Sequence, residues 1–293
     1  MVLGVKMIRL MGREFNLKSI TVEPIMFLYM YMIFTHLLTF QALVYDKVCQ
    51  ELYNTTVCKN LENATFKVEE DVVQKHSSSW FLYINFGMGI PSFLTVLFFL
   101  GPWGDRVGRK VPVISPLIGA LLSMVAFLIN SIYMDLGVEY LLIGSILNGI
   151  CGGYVAALMS MYSYVAVVSS PESRTVKIGI LEAMIFLAAT LGTGTSGLLL
   201  DRTGYVCVYS VLTGVVVLAL VYAVLWLDNI VPERDEDEDQ SSGFCKSLFV
   251  DAVKEICVCV YQKRHHKHFF NLLLLMFMIF CAQLITVGKL SGQ

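Results

Sequence analysis

Charge is what this chain has least of. Only 15% of its 293 residues are Asp, Glu, Lys or Arg, and the formal net charge is −2. A balance so close to neutral supplies no basic field for nucleic acid. Its eight cysteines include no Cys-x-x-Cys pair, so the usual zinc and dithiol signatures are missing. No Gly-x-x-x-x-Gly-Lys-Ser/Thr stretch occurs either, which removes the phosphate loop of ATP-driven pumps. With no catalytic or ligand-binding motif of these kinds, the expectation is no enzyme, no metal and no cofactor. His265, His266 and His268 sit among Lys263, Arg264 and Lys267. They read as a basic anchor at a membrane mouth rather than as metal ligands.

Apolar residues fill the gap that charge leaves. They make up 56% of the chain, and the mean hydropathy is +0.69, the profile of a polytopic membrane protein. A membrane-crossing helix takes about 20 predominantly apolar residues. Six runs meet that length: 24–45, 80–100, 111–133, 140–167, 178–200 and 205–227. A seventh covers 269–287. The first run is too long for a signal core and has no small-residue cleavage site, so it reads as a retained helix. The division expected is a tail over 1–23, a six-helix bundle over 24–227 with an outer loop at 46–79, a linker over 228–268, and a seventh helix with the chain end over 269–293. The linker opens on the acidic run 233–239, a solvated segment by composition. Apolar residues at helical spacing follow over 244–261, as in a helix lying on a membrane surface.

Basic residues orient the runs. With the N-terminus inside, fifteen of the 21 Lys and Arg fall on the inner side, as the positive-inside tendency requires. Two Asn-x-Ser/Thr sequons begin at Asn54 and Asn63. Both lie in the loop that the charges place outside, which makes both candidate glycosylation sites. Cys49 and Cys58 share that oxidising side. They can pair with each other, or one can take a partner in a loop this chain does not contain.

Between the second and third runs stands Gly101-Pro-Trp-Gly-Asp105-Arg106-Val-Gly108-Arg109-Lys110. Gly101 and Pro102 end one helix, Gly108 permits a tight turn, and the charges sit at the water boundary. This Gly-x-x-x-Asp-Arg-x-Gly-Arg-Lys pattern resembles the signature gating loop of major facilitator transporters. With Val22-Glu-Pro24, Ser173-Arg-Thr175, Leu181-Glu-Ala183 and Gly204-Tyr205, the chain is similar to the proton-coupled folate transporter and thymic stromal cotransporter family, the solute carrier family 46. The similarity runs from residue 22 to about residue 287. It implies an all-α membrane protein: the N-terminal six-helix bundle of the major facilitator fold, plus a seventh helix of a truncated second half.

Glu182 is the candidate proton-coupling residue, since no other ionisable side chain lies in the fifth run before Asp201. Taking a carboxyl out of water disfavours its charged form, so such a group can bind and release a proton. The resemblance places the family's coupling glutamate at this position. From a helix start at 178, Glu182 lies only about 6 Å along the axis. His36, alone among ionisable groups in the first run, and the polar Asn85 and Asn148 are candidate cavity residues. Gly152, Gly153, Gly192, Gly194 and Gly197 are candidates for close helix approach. The folate-transporting relative has an arginine and an acid in its fourth helix where this chain has Ser145 and Gly153, an acid where it has Val167, and a histidine in its seventh helix where 271–287 has none. A dianionic folate would want a buried cation, so the substrate expectation widens to organic anions and related small solutes.

The function expected is proton-coupled secondary transport across a lipid bilayer by alternating access. The partners expected are a small-molecule solute and a full-length homologue or the missing C-terminal half. The membrane expected is the plasma membrane, with the lysosomal membrane as the second option. Two other readings use the same residues: a non-transporting truncated isoform that regulates a full-length homologue, and a proton-antiport drug efflux carrier.

Overall fold

The computed structural model describes residues 8–10, 13–15, 21–61, 64–100, 104, 108–230, 274 and 278. Two compact units divide the chain, Met1–Ser241 and Ser242–Gln293. The fold of the first is described below. Nearly all of the expected seventh helix and of the linker lies outside the described residues.

The unit is built almost wholly of helices, as the sequence predicts. The exception is a short hairpin near the N-terminus, β1 (Ile8–Leu10) paired antiparallel with β2 (Arg13–Phe15), Ile8 opposite Phe15. Among the described residues, five helical stretches are long and apolar enough to cross a membrane: Glu23–Leu52, Lys67–Leu100, Lys110–Ile132, Val138–Val168 and Pro171–Trp226. The last has 56 residues. At the usual rise that would reach about 84 Å, nearly three times a bilayer core of about 30 Å. It cannot be one crossing. Gly204, at φ 75° and ψ 174°, interrupts it, and the chain reverses there. Spans one to four are the first four stretches; spans five and six are 171–203 and 204–226.

Helix starts follow the local chemistry. Pro24 occupies the first turn of span one, and the Glu23 carboxylate accepts the Thr21 backbone N–H at 2.6 Å. Pro171 and Ser170 open span five in the same manner. That start lies seven residues ahead of the expected 178. Glu182 therefore stands eleven residues along its helix, about 16 Å from the end, not 6 Å.

The segment expected as an outer loop over 46–79 is largely helical. Span one continues to Leu52, Thr55–Cys58 forms one helical turn, and span two begins at Lys67 with Glu69 and Glu70 in its first turn. Hydropathy marks only the apolar part of a helix. Acidic residues at an N-terminus favour helix regardless of polarity.

Span one packs most heavily against spans five and six, span two against the first half of span four, and span three against both halves of span four and the 171–226 run. The core lies along span one. Ile25, Met26, Tyr29, Met32 and Leu43 are fully buried there, facing a span-six stripe of Val208, Leu212, Ala219 and Ala223. That spacing of four, seven and four is one helix face. Gly192 lets span five close on span one. A Cβ there would meet the Tyr31 carbonyl at 3.1 Å and the Thr35 amide nitrogen at 3.2 Å. Thr35 uses the proximity to donate to the Gly192 carbonyl at 3.3 Å. Gly194 and Gly197, expected to do the same, have no neighbour within 4 Å of an added Cβ. They lie on the far side of the helix from that contact.

The two ends of the bundle are tied differently. At the end away from the Gly101–Lys110 motif, Cys49 and Cys58 form a disulfide. Lys47, expected in a loop, is buried there, with Nζ donating to the carbonyls of Leu136 at 2.7 Å, Met134 at 3.4 Å and Tyr133 at 3.5 Å. One turn on, the Glu51 carboxylate accepts the Val138 N–H at 2.9 Å. Asp46 accepts the Tyr205 hydroxyl at 2.6 Å. Three acidic and basic residues at the end of span one thus fix the end of span three and the starts of spans four and six.

Candidate functional site

Span four is two helices. Leu141–Ile150 ends, and Gly153–Val168 begins after two left-handed glycines, Gly152 at φ 98° and Gly153 at φ 58°. An interruption inside a membrane frees backbone carbonyls that no water meets. Here three hydroxyls donate to carbonyls at the break, where that of Gly152 also accepts the Ala156 N–H at 3.3 Å. Ser92 donates to the Gly152 carbonyl at 2.5 Å, Thr95 to Ile150 at 2.9 Å, and Ser115 to Cys151 at 3.0 Å. Ser92 and Thr95 come from span two and Ser115 from span three. Close approach makes this possible. A Cβ on Gly149 would stand 2.4 Å from the Met88 carbonyl oxygen, and one on Gly119 would stand 2.5 Å from the Cys151 Cβ.

Asn148 sits on the turn before the break. Its Nδ2 points at the Met88 sulfur at 3.8 Å, and its buried Oδ1 has no hydrogen-bond partner among the described residues. It belongs to the junction of spans two, three and four. Asn85 does not join it: exposed, it donates to the Phe81 carbonyl of its own helix at 2.7 Å.

Glu182 projects from span five on the exposed side of the bundle, and the Tyr162 hydroxyl of span four donates to its Oε1. Tyr154, on the first turn after the break, interacts electrostatically with Glu182 and Tyr162, and Tyr29 of span one with Tyr154. A carboxyl facing hydrocarbon would be costly. Its place on the open side marks that side as one meant for water, solute or more protein.

His36 lies elsewhere. Its ring stacks on Phe127 at 4.9 Å and touches Phe40 at 5.0 Å and Tyr209 at 5.9 Å. Its Nδ1 and the Tyr209 hydroxyl are both buried without a partner among the described residues. This is an aromatic packing site between spans one, three and six, separate from Glu182.

Of the signature loop, Gly101, Asp105 and Arg106 lie outside the described residues. The second half docks on the end of span six. Gly108 takes φ 119°, and a Cβ there would strike Asn229 Oδ1 at 2.2 Å. The Arg109 N–H donates to the Ile230 carbonyl at 3.1 Å. Lys110 Nζ donates to the Val224 carbonyl at 2.8 Å, a cation on the last turn of a helix, where the macrodipole favours it. The Tyr164 hydroxyl secures the same segment through the Asp228 carbonyl at 3.1 Å. Asn54 is exposed at the start of the Thr55–Cys58 turn. Asn63 lies outside the described residues.

A discontinuous span, a carboxyl on the open side of a six-helix unit and a basic loop clasped to the sixth helix form one pattern. The family model described as Major Facilitator Superfamily matches residues 21–290. The chain belongs to the Major Facilitator Superfamily. As a facilitator it is a multi-pass membrane protein. Among relatives it is 31% identical over 220 residues to the proton-coupled folate transporter of Rattus norvegicus, covering 72% of this chain and 46% of that one. It is 26% identical over 226 residues to the lysosomal proton-coupled steroid conjugate and bile acid symporter SLC46A3 of Gallus gallus, covering 73% and 48%. It is 31% identical over 158 residues to solute carrier family 46 member 2 of Canis lupus familiaris, covering 54% and 32%. The facilitator chain thus spans less than half the length of each of these three relatives.

Sequence reasoning missed Tyr162, Ser92, Thr95, Ser115 and Lys47. A tyrosine or serine in an apolar run carries no periodic signal. Glycine pairs are the one available hint: Gly152-Gly153 inside a span predicts freed carbonyls, which in turn demand hydroxyls from neighbouring helices.

Proposed function

We propose that this chain supplies the N-terminal half of a proton-coupled secondary-active carrier for organic anions or related small solutes. Alternating access moves the solute, as two helix bundles open in turn to each side of the bilayer. Glu182 takes up the proton. Neutralising it removes a charge from within the membrane-spanning length and favours one of the two states. Asp105 and Arg109 form the inner latch against the opposite bundle. The coupling ion is the proton, and no bond of the solute is broken. The plasma membrane is the proposed site of action.

One observation carries this reading: the single ionisable group within the apolar length of span five faces away from the bundle's own core and is held there by Tyr162. A carboxyl kept only for packing would point inward at a donor. Two of the three relatives described above bear names that state proton coupling, which supports the same role here.

The test is solute uptake by a full-length parent against external pH, with Glu182→Gln. The substitution is expected to abolish the pH dependence. Uptake that still rises with acidity as in the unsubstituted protein removes Glu182 from the mechanism. A second reading rests on the exposed aromatic and aliphatic side of span two, where Tyr83, Phe86, Ile90 and Phe93 are uncovered. Such a surface suits binding to a full-length homologue. Co-expression with one, scored by its uptake, separates the two readings.

A further inference from the structure

We infer that Tyr162 is the positioning residue of the proton site, holding the Glu182 carboxyl toward span four through their hydrogen bond. This rests on Glu182 being the coupling group. The two residues are far apart in sequence, on different spans, so their bond exists only through the meeting of spans four and five. An ionised carboxylate can only accept, whereas a phenol can donate one hydrogen bond and accept others. With Glu182 ionised, Tyr162 must therefore be the donor of this pair. Once protonated, Glu182 becomes a donor. The pair then reverses: the new carboxyl O–H donates to the Tyr162 oxygen, and the Tyr162 hydrogen turns to another acceptor. No atom is lost in the exchange, and the only species added is the proton.

Span five holds no other ionisable residue between Lys177 and Asp201. From span four, the titratable groups facing Glu182 among the described residues are Tyr162 and Tyr154. Beyond Tyr154, span one contributes Tyr29, whose buried hydroxyl has no partner among the described residues. Of these hydroxyl groups, Tyr162 makes the direct hydrogen bond to the carboxyl.

The experiment is an infrared pH titration of the whole chain in lipid nanodiscs. The protonated-carboxyl stretch that disappears in Glu182→Gln reports the site. In Tyr162→Phe its midpoint is expected to move up by about one pH unit, the size of one hydrogen bond to a charged group. An unmoved midpoint overturns the role of Tyr162 and leaves Glu182 in place. Absence of any Glu182 band change across the pH range instead overturns the proton site itself. Should the phenylalanine variant fail to fold, ring-deuterated tyrosine in the unsubstituted chain gives an independent reading. A tyrosine C–O band must shift at the Glu182 midpoint, and its failure to do so refutes the pairing.

Discussion

Left-handed glycines interrupt the helices of this bundle in two places, and the two are built differently. At Gly152 and Gly153 the break is buried in the middle of span four, and Ser92, Thr95 and Ser115 collect its carbonyls. At Gly204 the break is exposed between spans five and six, with no neighbour within 4 Å of an added Cβ. The difference follows from solvent. Backbone groups at the end of a crossing can meet water or lipid headgroups, whereas those in its middle must be satisfied by protein. A reversal thus needs one glycine, but an interior break needs glycines plus a shell of donors. The second arrangement costs three positions on neighbouring helices. That expense makes sense where two half-helices must line a solute path or flex against each other.

Substitutions can break this comparison in graded steps. Gly149→Ala, beside the interior break, is expected to do most damage. Its Cβ would stand 2.4 Å from a backbone oxygen that cannot swing aside. A loss of about 3 kcal/mol is expected from such overpacking, read as a lowered melting temperature in detergent by fluorescence-detected gel filtration. Gly204→Ala should cost about 2 kcal/mol through its backbone conformation alone, since φ 75° with ψ 174° is a region essentially reserved for glycine. If it costs as much as Gly149→Ala, the exposed turn is more constrained than its empty surroundings suggest. Ser92→Ala leaves the Gly152 carbonyl with only the 3.3 Å bond from the Ala156 N–H and should cost about 1 kcal/mol. A neutral result in the same assay would mean that the interior break does not need its donors. Gly194→Ala marks the other extreme. With open space around it and ordinary helical geometry, it should gain about 0.5 kcal/mol from helix propensity.

The same contrast explains what could be read early. The six crossings, the turn near Gly204 and the loop at 101–110 follow from hydropathy, glycine and charge, each a local signal. Glu182 was legible because a lone acid in an apolar run stands out. Its partner was not, because Tyr162 is one of 14 tyrosines and nothing local marks the one that meets a carboxyl. Lys47 shows the converse failure. A lysine near a span end reads as solvated, and only packing reveals three carbonyls waiting for it. The polar helical extensions at 67–79 and 171–177 escaped for a third reason. Helix formation there depends on capping and propensity, to which hydropathy is blind.

Sequence alone determined that this chain crosses a bilayer repeatedly, which residues bear charge within it, and where backbone freedom is concentrated, because hydrophobic transfer and glycine stereochemistry act residue by residue. Tertiary structure alone decided which helices touch, that Tyr162 reaches Glu182, that Gly192 rather than Gly194 admits a neighbour, and that hydroxyls from two other spans close the gap in span four. Those outcomes depend on distances between residues remote in the chain, and no local property of either partner encodes them.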